Sequence, residues 1–482
     1  MLTALVALAV SLGVAGGCVR EVDDSPLSDG EEVGAIPGDE VDDVDEPIEP
    51  DTGLDGGDAP SADAVVEAAL ADVNAYWERS YDDIYDGPFE PISGKFHPYG
   101  PDTRMPPCGN PPPTYEEIAG NAFYCPPDDL IAWDRVNLVP ELYEEFGGFT
   151  LGIVFAHEFG HAVQNRAGVL GIETIVTELQ ADCFAGAWTA DVEAGNSEFF
   201  KVTLDDLEKT IAGFLSLRDG VGTSAQDPAA HGTGFDRIGA FSEGYEQGLE
   251  RCADYPEVFR SGDLVIVEVP FTRADDFQRG GNLPLDELIP LLIADLEDFW
   301  SQLLPTLEDQ PWRPVEGVVP VEPESDEVTC GDEEYSGDEL VGASFYCVPD
   351  NTIYIDAVHL VPALDEIGDY AVGTELARQY AYAAQVQMGH DDPSAASDLQ
   401  ADCYAGVYAA SGFTGDRGQD LTLSPGDLDE AVISFLHRSD SSPDPEEGTD
   451  PDTTVATAFE RFDAYRSGFV DGVEPCEALL EE

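Results

Sequence analysis

The sequence predicts a predominantly helical α+β fold with a small sheet, present twice in tandem. Three observations lead there. Landmarks recur in the same order: ADVNAYWERSY (71–81) matches ADLEDFWSQLL (294–304), ELQADCFAGAW (178–188) matches DLQADCYAGVY (398–408), and FDRIGAFSEGY (235–245) matches FERFDAYRSGF (459–469). Cysteines fall in matched sets, Cys108, Cys125, Cys183 and Cys252, then Cys330, Cys347, Cys403 and Cys476. Apolar residues at helical spacing dominate, with only brief alternating stretches.

The chain opens on MLTALVALAVSLGVAGGC. Its apolar run is short against the roughly 20 residues of a membrane span and has the length and small-residue ending of a signal peptide. Ala15-Gly16-Gly17-Cys18 resembles a bacterial lipoprotein processing site. It departs from that pattern in having Ala15 where Leu is usual and no Lys or Arg before the apolar run. The expectation is an exported, extracytoplasmic protein, with Cys18 as a candidate lipid anchor to the cell membrane and an uncleaved apolar anchor as the other reading. Residues 19–60 are acidic, rich in Pro and Gly and nearly free of aromatics, the composition of a solvated tether.

Acidic residues outnumber basic ones 100 to 20, a formal net charge of -80. Such a surface repels polyanions, which excludes nucleic acid as a partner, and it suits a high-salt environment where self-repulsion is screened. Two repeats are expected, 61–257 and 258–482, each with its own core. The eight cysteines read as disulfides. Four per repeat allow three pairings; the preferred one joins Cys108 to Cys125 and Cys183 to Cys252, mirrored as Cys330 to Cys347 and Cys403 to Cys476, because the first two cysteines of each set delimit one short segment. A cysteine-held zinc is disfavoured because no CxxC pair occurs.

Each repeat reads as a helix, a Pro-rich loop (PFEPI, PWRPV), one or two strands, then several helices. DLIAWDRVNL (129–138) and NTIYIDAVHL (351–360) suggest a strand running into a helix start. Residues 151–168 have helical spacing and stop at a glycine, and further helices are expected over 173–192 and 203–218.

HEFGH (157–161) fits the zinc pattern HExxH. On a helix, positions i and i+4 share a face, so the imidazoles of His157 and His161 can reach one metal while Glu158 stands beside the attacking water. Gly160 leaves room for a neighbouring element. A catalytic zinc takes three protein ligands, and Glu178, opening the next helix, is the candidate third; Asp182, one turn on, can fix a ligand histidine through its outer N–H.

AHEFGHAVQ followed by ELQADCFAG resembles the neutral zinc metallopeptidases of bacteria, relatives of the zincins that use a glutamate as third ligand. The likeness covers nearly all of residues 65–255, including AFYCPPDD and the HGT…R…F..G segment. It implies a zincin-like domain in which His157, His161 and Glu178 bind zinc and Glu158 is the general base. It also places His231 and Arg237 near the active site. His231 can then donate to an oxyanion, the other reading being a surface-loop histidine.

In the second repeat Arg378, Gln379 and Tyr382 stand opposite His157, Glu158 and His161, and Val455 opposite His231, while Asp398 and Asp402 keep the places of Glu178 and Asp182. Its histidines, His359, His390 and His437, lack i, i+4 spacing. This copy is expected to keep the fold without the activity, with Arg378 paired to Asp398 or Asp402 in the metal's place. The expectation is one zinc per chain and a zinc-dependent endopeptidase cleaving protein or peptide substrates outside the cytoplasm. The alternative is a cell-surface binding or scaffold protein whose zinc is structural or vestigial. Oligomeric state is left open.

Overall fold

In a computed structural model of the chain the described residues are 60–480, apart from 170–171, 228–229, 272–276, 391–393, 415–420 and 442–455. The expectations for residues 1–18, Cys18, the acidic stretch and Val455 lie outside them.

Helix α1 (Ala62–Ile84) starts at Ser61, whose hydroxyl accepts from the Ala64 N–H at 3.3 Å. Its apolar positions 66, 69, 70, 73, 76 and 77 form one buried stripe, and Trp77 meets Phe184 edge-on at 5.1 Å. Strands β1 (His97–Tyr99), β2 (Ala122–Cys125) and β3 (Leu130–Asp134) follow the Pro-rich loop; α2 (Tyr115–Ile118) is a single turn between β1 and β2. Their order is β1-β3-β2, with β1 parallel and β2 antiparallel to the central β3.

The expected strand-to-helix junction is present. Asp134, the last residue of β3, accepts from the N–H groups of Val136 and Asn137 at 2.8 and 3.0 Å, turning the chain into α3 (Leu138–Ala167). This helix begins earlier than the apolar pattern of 151–168 suggested and breaks inside at Gly147 (φ 84°); it ends, as expected, at a left-handed Gly168. Helices α4 (Thr174–Glu193), α5 (Leu204–Ser216), α6 (Gly234–Ala253) and α7 (Tyr255–Ser261) complete this half.

The second half repeats the plan. Helix α8 (Leu285–Leu307) precedes a sheet of β4 (Gly317–Val321), β7 (Ser344–Cys347) and β8 (Thr352–Asp356), in the order β4-β8-β7 with the same directions. Helices α9 (Leu360–Ile367), α10 (Asp369–Met388), α11 (Ala395–Thr414), α12 (Asp427–Ser441), α13 (Ala458–Asp471) and α14 (Val473–Ala478) follow. An additional hairpin, β5 (Glu327–Cys330) with β6 (Glu333–Ser336), was not expected. Its strands, EVTC and EEYS, carry three glutamates and little apolar alternation; Val328 and Tyr335 belong to a small satellite cluster with Val321 and Leu340. The four preferred disulfides are all present.

The two halves do not have separate cores. One hydrophobic cluster holds buried side chains from both, from Val66 and Trp188 to Tyr380 and Tyr465. The seam lies along α6: Phe235 packs against Phe469 at 5.1 Å and Phe462 at 5.8 Å, and Tyr245 against Phe459 at 5.5 Å. Polar contacts cross it as well, from Ser242 Oγ to Asp463 at 2.6 Å and from Arg466 to Glu243 at 2.6 Å. Periodicity identifies a buried face; it does not identify which element covers that face, and here the cover comes from the other half.

Candidate metal centre

His157, Glu158 and His161 lie on the C-terminal part of α3, and Glu178 and Asp182 on the facing side of α4. The two helices approach closely because position 160 is glycine: a Cβ there would stand 2.9 Å from Ala181 Cα and 3.0 Å from its Cβ. Gly160→Ala is therefore expected to destabilise the fold by about 1–3 kcal/mol through overpacking and to weaken metal binding as α4 moves away. A urea titration with a zinc-affinity measurement checks this; wild-type values for both would show that the helices have slack.

The imidazole Nε2 atoms of His157 and His161 are 3.1 Å apart, and the Glu178 oxygens lie 3.3 Å from the first and 3.5 Å from the second. One donor atom from each of these three residues lies within 4.8 Å of the others. All three are well buried, and neither oxygen of Glu178 receives a hydrogen bond. A buried carboxylate without hydrogen-bond donors is costly unless a cation completes it, so the donor set fits a metal. Two nitrogens and one carboxylate, on two helices, match in type and number the ligand set that a catalytic zinc takes when one position is left open.

The outer nitrogens are held too. His157 Nδ1 is 2.6 Å from Asp182 Oδ1, and His161 Nδ1 is 3.0 Å from Gln164 Oε1. Gln164 is itself fixed by donating to the Thr177 carbonyl at 2.6 Å. With protons on both Nδ1 atoms, both Nε2 lone pairs face the centre. Asp182 is clamped by Arg237, whose Nε and Nη2 donate to its two oxygens at 2.8 and 2.9 Å. The same guanidinium donates to the Leu217 carbonyl at 2.9 Å and lies over the Phe214 ring. Burial acts to raise Asp182, but Arg237 and His157 outweigh it and hold its carboxyl below the usual range.

Glu158 is fully buried, and burial pushes its carboxyl up to about 7 although both histidines pull the other way. One oxygen accepts from the Tyr124 N–H of β2 at 2.7 Å, and the other receives no hydrogen bond. Burial would raise Glu178 as well, but His161, His157 and His231 hold it well below the carboxylate range. His231 is buried, not a surface-loop residue. Asp219 accepts from its backbone N–H and from that of Gly232, each at 2.9 Å, and lies 3.4 Å from His231 Nδ1.

In the second half the same positions make an ion-pair network. Arg378 Nε donates to Asp402, its Nη1 lies 3.2 Å from Glu375, and Tyr382 donates to Asp398 at 2.6 Å. Arg461, in the place of Arg237, donates to Asp402 at 2.8 Å. Gln379, opposite Glu158, donates to the Ser344 carbonyl at 3.1 Å. A second group of metal-capable donors among the described residues, Asp369, Asp427 and Glu430, has oxygen donors alone. Sequence reasoning missed that group, and also Tyr124, Gln164 and Asp219. Gln164 follows His161 at i+3, a spacing that was there to be used.

Two histidines one helical turn apart, a glutamate next to the first of them in sequence and a second glutamate from another helix make a candidate single-metal centre in the first half. Residues 57–255 match the family model described as "Putative neutral zinc metallopeptidase". Among similar proteins, "Uncharacterized protein Rv2575" of Mycobacterium tuberculosis is 30% identical over 167 residues, which is 30% of this chain and 56% of that protein. "Uncharacterized protein YpfJ" of Escherichia coli K12 is 30% identical over 155 residues, 26% of this chain and 50% of that protein. The chain thus spans about half the length of the relatives it matches. No solved structure matches it.

Proposed function

We propose that the chain is a zinc-dependent endopeptidase that hydrolyses protein or peptide bonds outside the cytoplasm, with one zinc per chain in the first half. The observation that carries this is Glu178: a buried carboxylate, without a hydrogen bond to either oxygen, facing two imidazole nitrogens. Bound zinc supplies a Lewis acid that polarises the scissile carbonyl and makes water acidic enough to lose a proton near neutrality. The chain's own groups do the rest. Glu158, buried beside both histidines, takes the proton of the attacking water and returns it to the departing amine. His157 and His161 are kept in one tautomer by Asp182 and Gln164, and His231 offers an N–H to the developing oxyanion.

The second half supports a tandem duplication in which one copy has lost the metal. It shares sheet order, disulfide placement and the Asp–Arg pair, and Arg378 supplies the cation. The four disulfides fit an oxidising compartment, consistent with export through residues 1–18. No helix among the described residues is long and apolar enough to cross a membrane.

The test is hydrolysis of unfolded casein by the purified chain. Activity that chelation removes and stoichiometric zinc restores is the expected result. Zinc-replete protein that cleaves nothing would favour the scaffold reading instead.

A further inference from the structure

We propose that the second half acts as a positioning module for the reaction site of the first, and that Asp429 is the residue through which it acts. This rests on the endopeptidase reading and goes beyond it by giving the metal-free half a role in the reaction.

Asp429 stands in the first turn of α12 and is buried. Its Oδ1 accepts from the Phe235 N–H at 2.9 Å, and its Oδ2 lies 3.0 Å from Arg218 Nε. Residues 218 and 235 bracket the segment that carries His231, so one carboxylate from the second half clasps both ends of that segment. Both ends also lead to the metal ligands. Leu217, beside Arg218, gives its carbonyl to Arg237; Phe235 lies two residues before Arg237 on α6, and Arg237 holds Asp182, which holds His157. Gly234 lies so close to the clasp that a Cβ there would stand 3.1 Å from Asp429 Oδ1. The Phe235 ring, seated among Phe462, Tyr465 and Phe469, fixes the start of α6 from the other side.

The seam carries a mirrored contact, in which Glu208 of α5 accepts from the Ala458 N–H at the start of α13 at 3.1 Å. That clasp leads through Arg461 to Asp402 and Arg378, which belong to no metal-capable donor group among the described residues. Of the two, only Asp429 has a reaction site behind it. Asp429 touches no reacting atom, so it is a positioning residue. Its removal is expected to lower turnover more than substrate binding, because small displacements of catalytic groups can cost up to about 100-fold in rate.

The experiment uses the full zinc-loaded chain as wild type, Asp429→Ala, Asp429→Asn and Ser242→Ala, the last removing a different hydrogen bond across the same seam. A quenched fluorescent peptide gives kcat and KM; histidine side-chain ¹H–¹⁵N correlations, with His231 assigned through His231→Gln, report the clasped segment directly. Asp429→Ala should keep one zinc, lose about 10- to 100-fold in kcat with KM within about twofold, and shift the His231 resonances. Ser242→Ala should change none of these. Asp429→Asn, which keeps an acceptor for Phe235 but no charge for Arg218, should fall between, and it carries the test if the alanine variant does not fold. Wild-type kcat and unmoved His231 resonances in a folded Asp429 variant would overturn the proposal, as would equal losses in Ser242→Ala. If the wild-type chain cleaves nothing, the endopeptidase reading fails, and the His231 resonances still decide the clasp.

Discussion

Glu158→Gln is expected to lower peptide hydrolysis by between about 10²- and 10⁴-fold while leaving zinc bound at the wild-type level. The amide keeps an oxygen for the Tyr124 N–H and leaves His157, His161 and Glu178 in place, so fold and ligands survive. What disappears is the buried carboxyl beside the candidate ligands that would take and return the proton of the attacking water. Steady-state kinetics beside metal analysis of the same sample checks this. Turnover within threefold of wild type would remove Glu158 from the mechanism.

Arg378→Ala should have the largest effect on stability, about 3–5 kcal/mol, with no change in zinc content. The arginine is fully buried and contacts Asp402, Glu375 and Tyr382. Its loss strands carboxylates in the interior, although Arg461 still serves Asp402 and Arg438 still serves Glu375. Burial acts to raise Glu375, but Arg438 and Arg378 bring it down to about 2 from an ordinary 4.5. A carboxyl depressed in the folded state stabilises fully above its unfolded value and loses that contribution as pH falls toward its folded value, here from 4.5 to about 2. Without Arg378 the folded value rises, and acid unfolding should begin at higher pH. Urea unfolding at neutral pH and an acid titration measure both, and an unchanged midpoint would mean that the network contributes nothing.

The parts of this site that were legible in the sequence are those encoded within a few residues. His157 and His161 meet because about four residues make a helical turn, and a glycine at position 160 marks a close neighbour. Glu178 and Asp182 were readable because they share a face and follow at short range. The disulfides were readable because the two cysteine sets repeat. Asp429 was not, since it meets Phe235 across 194 residues and nothing distinguishes it from the many other acidic side chains. The shared core stayed hidden for a related reason: Phe235, Phe459 and Tyr465 carry an apolar pattern that either half alone could have satisfied. His231 could be placed near the site only through the family likeness, because its partner Asp219 is set by a loop.

Counting zinc in the intact purified chain and in its His161→Ala variant decides whether the first half alone makes one zinc centre. One equivalent is expected in the wild type and none in the variant, with the variant still folded because His161 serves the metal and not the core. Two equivalents in the wild type, or one equivalent persisting in His161→Ala, would contradict this expectation.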